Sequence, residues 1–155
     1  MNQPPITIRP ACLADAPTIT VYNLRMAHET EDLRLNPSTV EQGVRAVFED
    51  DRRGNYFVAE RAGAVIACLL VTHEWSDWRN GDIWWIQSVY VHPEHRRQGV
   101  FRTLFAEAER LARAQGAVAM RLYVERDNAD AGRTYESLGM TRASYDIMHR
   151  SLLPE

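Results

Sequence analysis

Several things are scarce in this chain of 155 residues. It holds two cysteines, Cys12 and Cys68. They stand far apart in apolar settings without the spacing of a metal site, so both are expected as small buried hydrophobes in a reducing cytoplasm. No apolar run approaches the roughly 18 residues of a membrane span, and the opening MNQPPITIRP has no basic stretch followed by an apolar one. Neither a membrane partner nor a leader is therefore expected, and the expected location is cytoplasmic. Positive charge is not in excess: the net charge is -3, which speaks against a nucleic-acid partner. The phosphate-binding fingerprints GxxxxGK[ST] and GxGxxG are both absent, which excludes a P-loop and a dinucleotide fold of that type. Internal repeats, low-complexity tracts and linkers are missing too, so a single domain over residues 1–155 is the expectation. At 45% hydrophobic and 25% charged residues the composition is that of an ordinary globular protein able to bury a core.

The pattern along the chain alternates strands and helices. Ile6 to Ile8 reads as a strand stopped by Pro10. Asp15 with Pro17 marks the start of a helix whose apolar side holds Ile19, Tyr22 and Met26. Ser38 and Glu41 form a capping-box pattern for a second helix to about Phe48. Strands are expected over 55–60 and 64–72, turned by Gly63 into a hairpin. The stretch His73 to Gly81 reads as a polar, aromatic loop. Ile83 to Val91 is a strand apolar enough to be covered on both faces. A helix to about Gln115, a strand over 119–124, a helix from Asn128 to about Leu138 and a last strand over 141–152 complete the order β-α-α-β-β-β-α-β-α-β. This is a mixed α/β sheet with helices packed on it.

The chemistry starts in VYVHPEHRRQGVFRTLFAEA. A loop with a glycine that runs into a helix leaves backbone N–H groups without partners, and with the helix dipole these form an anion site. Arg96, Arg97 and Arg102 surround it with forked donors suited to phosphate. Taken alone, the stretch also reads as a plain strand-to-helix turn with solvated arginines.

That stretch resembles the acetyl-CoA-binding motif of the GNAT N-acetyltransferases, V-x-P-x-x-[RQ]-x-x-G-x-[GA]. Val91, Pro93, Arg96 and Gly99 match, and Phe101 stands where a small residue is usual. VERDNADAGRTYESLGM resembles the family's next strand and helix, with Asn128, Ala131, Tyr135, Gly139 and Met140 matching. The resemblance implies a GNAT-type α/β fold: a mixed, mostly antiparallel sheet of six to seven strands flanked by about four helices. It implies acetyl-CoA as co-substrate, with no metal. It assigns the pyrophosphate to Arg96, Arg97, Gln98, Gly99, Val100, Phe101 and Arg102, and the pantetheine arm to the backbone from Ser88 through Val89, Tyr90 and Val91, with Asn128 also touching that arm. Tyr135 takes the family's role of general acid to the departing thiolate, in keeping with a phenol's ability to hydrogen-bond sulfur. A dimer would be common in the family, so a homodimer is compatible with it.

The implied reaction is direct attack by a neutral amine on the acetyl carbonyl, with a backbone N–H of Val89 or Tyr90 meeting the developing charge. Family members that carry an acidic residue on the motif strand have it where this chain has Trp85, Gln87 and Ser88, none of them ionisable. A base must therefore come from elsewhere. Two loop clusters offer one, 28–32 and 73–78, and Glu29 and Glu74 are the preferred candidates. Together they suggest an acidic, aromatic-lined mouth for a cationic amine, with Tyr22, Arg25, His28, His73, Trp75, Trp85 and Gln87 as candidate acceptor contacts. The expected acceptor is a small-molecule primary amine. A peptide or protein amine, and a non-catalytic acetyl-CoA sensor, remain the alternatives.

Overall fold

The computed structural model describes residues 2–154. They form two compact units, one through Tyr123 and one from Val124. The larger unit is built on a sheet of five strands in the order β1-β2-β3-β4-β5, so spatial order follows chain order. The strands are β1 (Thr7–Pro10), β2 (Asn55–Arg61), β3 (Ala64–Ser76), β4 (Gly81–Val91) and β5 (Ala119–Leu122). All neighbours are antiparallel except β4 and β5. A parallel pair needs a long crossover, and α3 (Val100–Ala114) supplies it.

The β2-β3 hairpin turns on Ala62 and Gly63, both at positive φ (51° and 77°). A two-residue turn of that hand matches the twist of the strands it joins. β3 and β4 are longer than the sequence pattern suggests. The ladder continues from Thr72 opposite Trp85 to Ser76 opposite Gly81, so most of the expected loop 73–81 is strand and only 77–80 connect. His73 and Glu74 are polar, but they alternate across the sheet, and the backbone bonds of the ladder hold them regardless of side-chain polarity.

The helices α1 (Ala16–Glu31) and α2 (Pro37–Glu49) cover one face. There Ile19, Tyr22 and Val44 pack on Tyr56, Val58, Cys68 and Tyr90. The alternation of strand side chains puts Phe57, Ala59, Ala67 and Leu69 on the other face, and all are buried. The stripe Val100, Leu104, Phe105, Ala108 and Ala112 is the buried side of α3. Two start signals differ from expectation. Asp15 precedes α1, but its carboxylate accepts from the Arg9 guanidinium at 2.8 and 2.9 Å and from the Cys12 N–H at 2.8 Å instead of capping. α2 is capped by Asn36, whose side chain accepts from the Thr39 N–H at 3.1 Å, with Pro37 rather than Ser38 opening the helix. Of the two cysteines only Cys68 is buried, its thiol pushed up to about 12 by burial. Cys12 is exposed, a correction whose reason is position: it lies in the turn before α1, and Ala16 and Ile19 take the inward places.

The smaller unit contains α4 (Ala129–Ser137). The expected last strand over 141–152 is absent: among the described residues the sheet has five strands, not six or seven. Tyr145, Ile147, Met148, Leu152 and Leu153 are exposed there, and no strand of the described residues pairs with the segment. Apolar alternation alone does not make a strand when no neighbour supplies the other half of the ladder. Among the described residues no helix is long and apolar enough to cross a membrane.

Candidate active site

β4 changes character halfway along. Ile83 to Ile86 pair with β5 from Ala119 to Leu122, and that ladder then stops while β4 runs on to Val91. From Gln87 to Val91 no strand of the described residues pairs with the β5 side of β4. The break coincides with a bulge: Leu70 faces Ser88, but Val71 faces Ile86, which leaves Gln87 as the extra residue. A bulge increases local twist, and here it falls where the two strands part. The result is a stretch of strand backbone able to bond an extended ligand.

That open stretch leads straight into the turn before α3. Pro93–His95 form one 3-10 turn, Arg97 has φ 60° and Gly99 has φ 77°. Left-handed residues in such a turn are a setting in which neighbouring N–H groups can form an anion-binding concavity. Gly99 is the N-cap of α3, and the first intrahelical bond is from the Thr103 N–H to the Gly99 carbonyl at 3.0 Å. A Cβ built on Gly99 would meet nothing within 4 Å, so the space in front of the helix start is open. Phe101 lies with its ring 6.0 Å from that of Phe105, one turn further along α3. The turn is pinned to the end of β2 by Arg61, which donates to Gln98 Oε1 at 2.6 Å and sits 3.1 Å from His95 Nδ1. Sequence reasoning missed Arg61, since nothing local links it to a turn 37 residues away.

Arg96, the charged residue of the motif, is turned toward α1. Its Nη2 donates to Glu29 Oε2 at 2.7 Å and its Nε to the Val91 carbonyl at 2.9 Å. Its guanidinium lies 5.2 Å from the centre of the Tyr90 ring. The Tyr90 hydroxyl donates to Glu29 Oε1 at 3.0 Å. Desolvation would raise the Glu29 carboxyl, but the hydrogen bonds from Arg96 and Tyr90 outweigh it, and the group is held below the usual carboxylate range.

The other candidates divide between the two faces of the sheet. Thr72 donates to Gln87 Oε1 at 3.3 Å, which places the bulge residue on the same face as its partner strand's polar groups. Glu74 Oε2 accepts from Arg121 Nη1 at 3.3 Å, and the Arg121 guanidinium lies 6.0 Å from the centre of the Trp85 ring. Trp85 also meets Tyr123 at 4.7 Å. Arg121, Tyr123 and Thr72 carried no signal in the sequence, because their place depends on register. His73 lies on the opposite face, edge-on to Trp84 at 5.1 Å. Both line a cavity of about 730 Å³ with Phe57, Asn55, Asp82 and Gln115. None of its lining residues belongs to the turn before α3, so we do not assign the chemistry to it. Tyr22 is a core residue whose hydroxyl donates to the Val65 carbonyl at 2.7 Å. His28 is exposed and 3.6 Å from Asp32. Arg25 is exposed and lowers the Glu29 carboxyl by its charge. Trp75 is exposed. With Glu29 matched by Arg96 and Glu74 by Arg121, the two carboxylates leave little uncompensated negative charge at the expected mouth.

In the smaller unit Asn128 is the N-cap of α4, its Oδ1 accepting from the Ala131 N–H at 3.1 Å. Tyr135 lies on the same helix, and burial raises its phenol above the ordinary value. It therefore keeps its proton at neutral pH and can donate it.

These features can be set beside known proteins. The model of the acetyltransferase (GNAT) family matches residues 20–140. A phosphinothricin N-acetyltransferase of Streptomyces viridochromogenes is 30% identical over 139 residues, which cover 88% of this chain and 75% of the relative. A mycothiol acetyltransferase of Thermobispora bispora is 36% identical over 96 residues, covering 61% of this chain and 32% of the relative, so the chain spans about a third of that protein's length. The crystal structure of a possible acetyltransferase from Clostridium difficile 630 superposes with a TM-score of 0.90 over 96% of this chain and 99% of that one, at 41% identity. With a family match over residues 20–140, most of its length, this chain belongs to the GNAT acetyltransferase family.

Proposed function

We propose that the chain moves the acetyl group of acetyl-CoA to a primary amine of a small molecule. The observation that carries this reading is the continuity of the open β4 edge with the left-handed entry into α3. Coenzyme A fits the residues present: an extended amide-bearing arm suits strand backbone from Ser88 to Val91, and a pyrophosphate suits N–H groups at a helix start with an open space at Gly99. The small-molecule acceptor is supported by the name of the phosphinothricin relative. When bound, acetyl-CoA supplies an activated acyl carbon and a thiolate leaving group.

The N–H groups from Arg97 through Arg102 and the side chains of Arg97 and Arg102 hold the pyrophosphate. The backbone of Ser88 to Val91 orients the arm, and an N–H of Val89 or Tyr90 faces the acetyl oxygen as charge develops on it. The amine must lose a proton before it can attack. Gln87 orients the amine or a water but has no site for the proton. Glu29 is held ionised with both oxygens already accepting, from Tyr90 and Arg96, so it orients a water that relays the amine proton rather than keeping that proton itself. Glu74, tied to Arg121, is the second candidate for this step. Tyr135 gives its proton to the departing sulfur, a role suited to a phenol that stays protonated at neutral pH.

The absence of an ionisable side chain at Trp85, Gln87 and Ser88 favours one other reading, a sensor that binds acetyl-CoA without turning it over. Thiol release from acetyl-CoA across a panel of small amines and amino-terminal peptides separates the readings. Amine-dependent release with small amines is expected. Release with peptides alone shifts the acceptor class, and binding without release under any amine supports the sensor.

A further inference from the structure

We propose that Arg96 serves the acceptor side of the site as a positioning residue, and that the pyrophosphate is left to the backbone and the other arginines of the turn. The family pattern assigns Arg96 to the phosphates, but its donors point elsewhere. Nη2 reaches Glu29 at 2.7 Å and Nε reaches the Val91 carbonyl at 2.9 Å. The guanidinium Cζ lies over the Tyr90 ring, 5.2 Å from the ring centre. Arginine is suited to such a three-way junction because its planar fork fixes the directions of its donors, which a lysine ammonium does not.

The junction joins three pieces of chain. Glu29 comes from the last turn of α1, Tyr90 and Val91 from the open end of β4, and Arg96 from the turn before α3. Each oxygen of Glu29 has its own donor, Tyr90 on Oε1 and Arg96 on Oε2. The carboxylate is thereby fixed in orientation and kept charged beside the stretch of β4 that opens away from β5. The charged and titratable groups that face it are Arg25 on α1, Tyr90 on β4 and Arg96 in the turn. Arg97, by contrast, makes no ion pair among the described residues and stands at φ 60° in the turn itself, in position to serve an anion there. The motif's two neighbouring arginines thus divide the labour, one for each substrate.

The assignment rests on the reading above only in treating Glu29 as an acceptor-side group. Its test uses acetyl-CoA itself as probe, by calorimetry, together with carbon NMR titration of the glutamate carboxyls, Glu29 being identified by its loss in Glu29→Gln. In Arg96→Gln the Kd for acetyl-CoA is expected to stay within about threefold, while Glu29 titrates at higher pH than in the wild type. Arg96→Lys, which keeps the charge and is the milder change for folding, is expected to restore part of that shift. A Kd weakened about tenfold or more in either variant overturns the assignment, and so does a Glu29 titration that is the same in all three proteins. Wild-type protein that gives no heat with acetyl-CoA sinks the donor-site reading instead, and the Glu29 titration still decides whether Arg96 holds that carboxylate.

Discussion

From Ile83 to Ile86, β4 is hydrogen-bonded to a strand on each side, and Ile83, Trp84 and Ile86 are buried. Beyond Ile86 it loses β5 and keeps β3 only from Ser88 to Val91, and its side chains are a mix of exposed, half-buried and buried. The first half is scaffold: its backbone groups are satisfied within the protein, and substitutions there are felt as stability. The second half has backbone capacity to spare, which in a sheet is either an edge liability or a binding site. The turn that follows, with its left-handed residues and open helix start, makes the second use the better account. The one-residue bulge at Gln87 and the end of the β5 ladder fall at the same place and mark the boundary between the halves.

Substitutions can break or sharpen that contrast. The largest effect is expected in the closed half. Ile86→Ala removes a buried side chain and should cost about 2–5 kcal/mol of stability in denaturant unfolding, with acetyl-CoA affinity of the folded protein unchanged; a loss of affinity without loss of stability would erase the distinction. On the open side, Gly99→Glu places bulk and negative charge at a position with φ 77°. It should abolish the rise in Tm produced by acetyl-CoA, a loss of roughly a hundredfold or more in affinity. Tyr135→Phe should lower amine-dependent thiol release by about tenfold to a hundredfold, with acetyl-CoA affinity little changed. Unchanged turnover removes the tyrosine from the mechanism.

A smaller effect, remote from β4, serves as a control. The hydrogen bonds from Arg9 hold the Asp15 carboxyl down to about 2, below its ordinary 3.8. A depressed carboxyl contributes stability that is full above about pH 4 and is lost as pH falls toward 2. The loss, on the order of 1–2 kcal/mol, should be the same in wild type and Gly99→Glu, and smaller in Arg9→Met, where the Cys12 N–H remains the carboxylate's donor. The smallest change belongs to Gln87→Ala. The bulge is set by backbone register, so stability should stay within about 0.5 kcal/mol, while kcat/KM for the amine falls a few fold. A large loss of stability would mean that the Thr72 contact, not register, maintains the bulge.

The two helix starts at Gly99 and Asn128 were legible in the sequence because their signals are local. The spacing from Val91 to Gly99 and the cap at Asn128 are set within one turn of chain, and the structure has Gly99 and Asn128 at their helix starts as expected. What depends on register was not legible. The bulge at Gln87 follows from how β3 and β4 align, and the junction of Glu29 with Arg96 joins residues 67 apart in sequence. The same ignorance of partners explains two misreadings. His73 to Ser76 looked like loop because they are polar, yet the ladder holds them. Residues 141–152 looked like strand because they alternate, yet no neighbour pairs with them among the described residues. His73 and Glu74 are adjacent in sequence and stand on opposite faces, so treating them as one cluster joined groups that the pleat separates.

The central claim, that one half of β4 and the turn after it form the donor site, has a direct measurement. Amide hydrogen exchange can be followed residue by residue with and without acetyl-CoA. Protection is expected to rise from Ser88 to Val91 and from Arg97 to Arg102, and to stay the same from Ile83 to Ile86. Protection confined to the cavity around His73 and Trp84, or none at the turn, would contradict the account.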